Sequence, residues 1–119
     1  MALLIFALIS VLLLIKIKEN QFLEKAPEKM IYFFGKTCPH CVGVEKFFKE
    51  NEIEKKFQFE KREVFYNEAN KRLLILLAEK KCNLKEDKIG VPLFWTGSEC
   101  FVGEKPIVDF FKEKLQSKI

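Results

Sequence analysis

A pair of cysteines three positions apart, where an apolar run gives way to helical periodicity, constrains the fold of this chain most. Residues 30–34 are apolar without alternation and end at Gly35, which fits a short strand buried on both faces. Cys38 and Cys41 follow at the predicted start of a helix. Thiols at this spacing lie one helical turn apart, so they can close a small disulfide.

The start of the helix is expected to give the two thiols different surroundings. Cys38 is predicted to be exposed at the positive end of the helix dipole, where unpaired N–H groups stabilise a thiolate. Cys41 is predicted to be shielded one turn further in, on the same face as Val44 and Phe48. Thiol–disulfide exchange needs this asymmetry, because one sulfur attacks the partner and the other resolves the mixed disulfide. The pair therefore predicts a redox-active dithiol.

The N-terminal segment carries a membrane signal. Its first 15 residues are apolar except for Ser10, and Lys16 interrupts the run before Ile17. The run is shorter than the roughly 20 residues of a typical spanning helix, but no small-residue cleavage site follows it. We predict an uncleaved membrane anchor over residues 1–18, which inserts through residues 1–17. A cleaved signal peptide is the less favoured alternative.

The cations near the anchor bear on its orientation. Lys16, Lys18 and Lys25 all follow the apolar run, so the positive-inside tendency predicts a single-pass protein with its folded domain in the cytoplasm. An oxidant of thiols would instead work outside the reducing compartment. The side of the membrane therefore stays open, with the cytoplasmic side favoured.

The remaining sequence suits one small folded domain. We predict a polar tether over residues 19–28 and a domain over residues 29–119. The net charge of +4 arises from Lys and Glu mixed along the chain, so no nucleic-acid partner is predicted. The 13 Phe residues fall in periodic segments and are interpreted as core. We expect a monomer.

Hydrophobic periodicity predicts a βαβ unit followed by a further helix and a ββα unit. The charged middle of the second strand places it near a sheet edge, parallel to the first strand. Asn67 is predicted to cap the middle helix, and residues 96–98 to form a hairpin turn. The predicted elements are a strand at 30–34, a helix at about 38–51, a strand at 57–66 and a helix from 67 to about 81. Residues 89–95 lead into a third strand that starts at Leu93, a fourth strand covers 99–102, and a helix begins at about 106.

These features together resemble the thioredoxin superfamily, closest to a glutaredoxin-like domain, over residues 29–115. The resemblance is carried by the Cys-Pro-His-Cys motif after a buried strand, by Val91-Pro92 before a later strand and by the ββα ending. It implies an α/β fold with a four-stranded mixed sheet in the order 2-1-3-4 and helices on both faces. By the same resemblance, Pro92 is a cis-proline that faces the cysteines, and Val91 offers its backbone to a bound substrate.

The resemblance implies a thiol–disulfide oxidoreductase with protein or low-molecular-weight thiols as substrates. Cys38 is implied as the nucleophile and Cys41 as the resolving thiol. The Pro-His pair between them resembles that of periplasmic thiol oxidases, in which it favours donating the disulfide. Glutaredoxins commonly carry Gly-Gly and an acidic residue after the last strand, whereas residues 102–105 here read Val-Gly-Glu-Lys. Glutathione is therefore not supported as a cofactor, and no other cofactor is predicted.

Three residues around the cysteines are candidates for tuning their reactivity. Pro39 fits an early helical position, where its missing N–H costs nothing. His40 is predicted to act on Cys38 electrostatically, with a merely exposed His as the alternative. Lys36 is predicted to stabilise the Cys38 thiolate, and a solvated loop lysine is an equal alternative.

Two further cysteines, Cys82 and Cys100, lie outside the Cys-Pro-His-Cys motif. Cys82 and Cys100 are interpreted as small buried hydrophobic residues that contribute little to catalysis, in preference to a second disulfide. No metal site is predicted, because four cysteines with only one CxxC have poor spacing for zinc. A non-catalytic, membrane-tethered binding module with a vestigial site is the main alternative, and a metal or iron–sulfur protein is a weaker one.

Overall fold

The computed structural model describes residues 1–25 and 29–117, and the side chains of residues 1–18 and 29–117. The predicted order of strands and helices in the domain is confirmed, with two additional short helical turns that were not predicted. In chain order the elements are α1 (Ala2–Lys25), β1 (Ile31–Phe34), α2 (Pro39–Glu50), the single turn α3 (Ile53–Lys56), β2 (Glu60–Glu63), α4 (Glu68–Lys80), a 3-10 turn (Glu86–Lys88), β3 (Leu93–Trp95), β4 (Cys100–Val102) and α5 (Glu104–Ser117).

The four strands form one mixed sheet in the order β2-β1-β3-β4, as predicted. β1 and β2 are parallel, while β3 runs antiparallel to both β1 and β4. The charged strand β2 lies at an edge, which agrees with its sequence. The protein is thus a mixed α/β fold with the carboxyl end of β1 leading into α2.

Helices cover both faces of the sheet. Successive side chains of β1 point to opposite faces, so they pack against different helices. Ile31 and Phe33 join a buried cluster with α4, whereas Tyr32 joins a second cluster with α2 and α5. The α4 cluster also contains Val64, Leu73, Leu74, Leu77, Ala78, Leu93 and Trp95. The second cluster also contains Val44, Phe48, Ile53, Phe94, Ile107 and Phe111.

Several element boundaries differ from the predictions for physical reasons. β2 is limited to Glu60–Glu63 because each of its residues pairs with one of the four residues of β1. The predicted start at residue 57 was wrong, since Phe57 and Phe59 pack as side chains against the second cluster before the strand begins. α5 begins at Glu104, so Pro106 lies in its first turn, where proline is tolerated.

The N-terminal helix α1 presents its apolar side chains outward. Every large apolar side chain of residues 1–17 is at least 48 % exposed. No helix within the described ranges 1–25 and 29–117 is both long and apolar enough to cross a membrane. α1 extends into the segment predicted as a tether, and residues 26–28 of that segment lie outside the described residues.

Candidate dithiol site

The two motif cysteines lie at the N-terminus of α2, as the sequence predicts. Cys38 is the residue before the helix, Pro39 is the first helical residue and Cys41 lies in the first turn. The sulfurs are at disulfide distance, with 5.2 Å between the Cα atoms. The backbone N–H of Cys41 donates to Sγ of Cys38 at 3.2 Å. Negative charge on the Cys38 sulfur is therefore stabilised by this donor and by the helix dipole.

The expected difference in exposure between the two thiols was wrong for the disulfide state. Cys38 is 5 % exposed and Cys41 is 2 % exposed, so both residues are buried when the disulfide is closed. The asymmetry lies in their neighbours instead. Only the Cys38 sulfur, of the two, accepts a backbone hydrogen bond and faces the loop before β3 in the described structure.

The loop before β3 brings Val91 and Pro92 to the cysteines. The carbonyl oxygen of Val91 lies 3.7 Å from Sγ of Cys38. The Val91–Pro92 peptide bond is cis, as expected, and Pro92 is buried. β3 starts at the next residue and pairs with β1 through Phe33 and Leu93. The sheet register therefore places this loop beside the start of α2.

Glu63, the last residue of β2, holds the loop that precedes the cysteines. Its carboxylate accepts hydrogen bonds from the backbone N–H of Lys36 at 2.8 Å and of Tyr66 at 2.7 Å. Desolvation acts to raise the pKa of Glu63, but these backbone donors lower it on balance. Sequence reasoning missed this residue because its partners are backbone groups, one of them 27 positions away.

The predicted tuning residues Lys36 and His40 contact other groups. Nζ of Lys36 lies 6.0 Å from the ring centre of Tyr66. Nδ1 of His40 lies 3.9 Å from Oε2 of Glu104, at the start of α5. Neither side chain forms a hydrogen bond or ion pair with Cys38 among the described residues. Their influence on the thiolate stays a prediction.

The ion-paired residues Glu45 and Lys61 line a cavity that Cys38 and Cys41 also line. Nζ of Lys61 is 3.0 Å from Glu45 and 3.2 Å from Glu54. Burial acts to lower the pKa of Lys61, but the two carboxylates raise it on balance, so the side chain stays charged. The cavity has a volume of about 390 Å³ and is lined by Phe34, Gly35, Lys36, Cys38, Cys41, Val42, Glu45 and Lys61. A proton acceptor therefore shares a cavity with the cysteines.

An apolar groove leads away from the site on the α4 side. It has a volume of about 370 Å³. Phe65, which is 48 % exposed, lies with its ring directly over Gly35, and Val91 joins the groove to Cys38. The groove is lined by Val64, Phe65, Leu74, Ile75, Ile89, Gly90 and Val91 together with the charged residues Lys71, Glu79 and Glu86.

The remaining cysteines form a second pair. Cys82 and Cys100 are at disulfide distance, with 5.8 Å between their Cα atoms. The favoured interpretation of two separate hydrophobic residues was therefore wrong, because strand pairing brings Cys100 next to the end of α4. The part of the chain that the structure describes has no group of three or more His, Cys, Asp or Glu side chains able to hold a metal ion.

No protein-family model matches the chain, and a search of curated proteins finds no match. Fold and site together define an α/β protein with a cysteine pair at a helix N-terminus, beside a cis-proline loop.

Proposed function

We propose that this protein is a thiol–disulfide oxidoreductase of the thioredoxin superfamily, with a glutaredoxin-like domain tethered to a membrane. The main support is the position of Cys38. Its sulfur lies at the N-terminus of α2 and 3.7 Å from the carbonyl oxygen of Val91, next to the cis bond to Pro92. A substrate sulfur that reaches Cys38 meets backbone groups of Val91 at the same point.

The proposed reaction has two exchange steps. The Cys38 thiolate attacks one sulfur of a substrate disulfide, which forms a mixed disulfide and releases the other substrate sulfur as a thiol. Cys41 then attacks the Cys38 sulfur, releases the second substrate thiol and closes the Cys38–Cys41 disulfide. The dithiol loses two electrons and the substrate gains them. Run in reverse, the same steps donate a disulfide to a substrate dithiol.

Cys41 must lose its proton before it attacks. The Glu45 carboxylate is the acceptor that the cavity beside Cys41 offers. Lys61 holds that carboxylate through a hydrogen bond of 3.0 Å. Lys61 thus restrains the Glu45 side chain in the cavity that Cys41 also lines, and we propose Glu45 as the group that accepts the Cys41 proton.

The apolar groove favours polypeptides as substrates. A chain joined through its cysteine to Cys38 passes Val91, and Val91 also lines the groove. An apolar side chain near the reacting cysteine gains burial against Phe65 and Ile75. A low-molecular-weight disulfide reaches Cys38 without using this surface, so it remains a second class of substrate.

The exposed apolar surface of α1 supports the proposed anchor. A helix that is apolar on all sides needs an apolar surrounding, and the lipid bilayer provides one. Lys16 and Lys18 follow the apolar run and favour a domain on the cytoplasmic side.

The decisive experiment is a turnover assay on the full chain in detergent. We expect the protein to accelerate the reduction of insulin by dithiothreitol, and Cys38→Ser to reduce the rate to that of buffer. Glu113→Gln, which changes an exposed side chain of α5, is the matched control, and we expect it to keep wild-type turnover. A folded wild-type protein without turnover on insulin or on glutathione disulfide would instead favour the non-catalytic binding module.

A further inference from the structure

The Cys82–Cys100 pair joins two layers of the fold. Cys82 follows the C-terminal end of α4, and its N–H donates to the carbonyl oxygen of Leu77 at 3.3 Å. Cys100 is the first residue of β4, an edge strand of the sheet. Both residues pack partly buried against the cluster under α4. A bond between them attaches the end of the helix to the edge of the sheet.

The two cysteine pairs lie at opposite poles of their helices. Cys38 precedes α2, where the dipole and the N–H of Cys41 stabilise a thiolate. Cys82 follows α4, where the negative end of the helix dipole makes a thiolate unfavourable. The lysines at positions 80 and 81 are exposed, so solvent screens their charges. Since the thiolate is the species that exchanges, the second pair exchanges more slowly.

We propose that Cys82 and Cys100 form a disulfide that stays closed while the Cys38–Cys41 pair cycles, and that it holds the loop carrying Val91 beside Cys38. The loop consists of residues 83–91. Because Cys82 immediately precedes this loop, the bond to Cys100 attaches the start of the loop to β4. The end of this loop passes through Pro92 into β3, which pairs with β4. Both ends of the loop are thus tied to one hairpin.

The interior of the loop has few other restraints. The N–H of Leu84 donates to the carbonyl oxygen of Ala78 at 3.0 Å, and one 3-10 turn follows. Leu84, Ile89 and Val91 are only partly buried against the α4 cluster. Because Val91 lies 3.7 Å from the Cys38 sulfur, movement of this loop alters the surroundings of the reactive thiol. The second disulfide is therefore a positioning element for the site.

The second disulfide forms by exchange with a disulfide-bearing acceptor, either a low-molecular-weight disulfide or a protein disulfide. One new S–S bond joins Cys82 to Cys100, and the S–S bond of the acceptor breaks. The acceptor takes up two electrons and two protons and leaves as two thiols. Lasting disulfides of this kind are typical outside reducing compartments. A lasting Cys82–Cys100 disulfide therefore favours a domain outside the cytoplasm, whereas the flanking lysines favour a domain in the cytoplasm.

Alkylation of the full chain in detergent at graded dithiothreitol concentrations, read by mass spectrometry, tests the stability of the second bond. We expect Cys38 and Cys41 to be labelled first, and half-labelling of Cys82 and Cys100 to need at least about tenfold more dithiothreitol. Free thiols at 82 and 100 in the air-oxidised protein would overturn the proposal. Opening of the second pair at the same or lower dithiothreitol would overturn it as well. These outcomes do not depend on whether the protein turns over a substrate.

Limited trypsin digestion tests the role of the bond in holding the loop. The Cys38→Ser/Cys41→Ser variant contains only the second pair, so dithiothreitol acts on that bond alone. Reduction is expected to accelerate cleavage after the exposed residues Lys85 and Lys88 by about fivefold or more, while cleavage after Lys112 in α5 stays unchanged. Equal cleavage of the loop before and after reduction would show that the bond does not hold it.

Discussion

The carbonyl oxygen of Val91 lies 3.7 Å from Sγ of Cys38, although the two residues are 53 positions apart in the sequence. Strand pairing creates this contact. β3 runs antiparallel to β1, so the residue before β3 lies beside the residues that follow β1. The proposed site is therefore assembled from two distant segments at one end of the sheet.

Substitution of the two motif cysteines should have unequal effects. Cys41→Ser is expected to attack substrates normally and then to accumulate mixed disulfides, because the resolving thiol is missing. Cys38→Ser should form none. Non-reducing gels after incubation with an oxidised protein substrate provide the measurement, with the double variant as the control. Mixed disulfides in Cys38→Ser alone would reverse the assigned roles.

Phe65→Ala should reduce turnover of protein substrates more than turnover of a small disulfide. The ring lines the groove beside Cys38, and its removal takes away apolar surface that only a polypeptide can use. We expect kcat/KM for insulin to fall by about five- to tenfold, which corresponds to roughly 1 kcal/mol. Tyr66→Ala is the matched control, since Tyr66 is exposed but does not line the groove. Equal losses in both variants would rule out a specific role for the groove.

Glu63→Gln should destabilise the protein at neutral pH and much less in acid. The backbone donors lower the pKa of Glu63 in the folded protein, so its stabilising contribution is present above the unfolded value of ~4.3. That contribution is lost as the pH falls through the folded pKa. Urea unfolding at pH 7 and pH 3 measures the difference, with Glu113→Gln as an exposed control. If Glu63→Gln lowered the free energy of unfolding equally at pH 7 and at pH 3, the ionised carboxylate would not be the stabilising group.

Tyr32→Phe should stabilise the protein. The Tyr32 hydroxyl is fully buried and has no hydrogen-bond partner among the described residues. Its removal should raise the free energy of unfolding by about 1 kcal/mol while the ring keeps its contacts with Phe34 and Phe48. Thermal unfolding measures the gain, and Tyr66→Phe, which is 70 % exposed, should leave it unchanged.

The stability of Tyr32→Phe should also fall less at alkaline pH than the stability of the wild-type protein. Burial, and then the charge of Glu45, raise the pKa of Tyr32 in the folded protein. The unfolded chain releases this proton above its own pKa of ~10, so the wild-type protein loses stability as the pH rises beyond that value. A steeper alkaline loss in Tyr32→Phe than in the wild type would contradict the assignment.

The full chain should stay in the membrane fraction after carbonate washing. Leu8→Arg/Leu12→Arg should release it, because a charge near the centre of the bilayer costs about 2.5–3.5 kcal/mol. Leu8→Val/Leu12→Val is the control and should remain bound. A topology reporter fused after Ile119 then decides between the two sides. A cytoplasmic signal would agree with the flanking lysines, whereas an extracytoplasmic signal would agree with a lasting Cys82–Cys100 disulfide.

The sequence alone determined those features that depend on neighbours a few positions away. The buried strand β1, the start of α2 directly after Cys38 and the cap at Asn67 follow from apolar runs, periodicity and capping chemistry. The pairing of Cys38 with Cys41 follows from one turn of helix. Each of these is decided by local geometry, so each could be predicted before the fold was known.

Only the tertiary structure decided the contacts between distant segments. β2 is short because its length is limited by β1, and Glu63 binds backbone N–H groups that have no side-chain signature. Cys82 meets Cys100 because α4 ends near the edge strand β4, which spacing along the chain does not show. In each case the partner is chosen by how strands and helices pack, and that choice depends on the whole core rather than on any local stretch of residues.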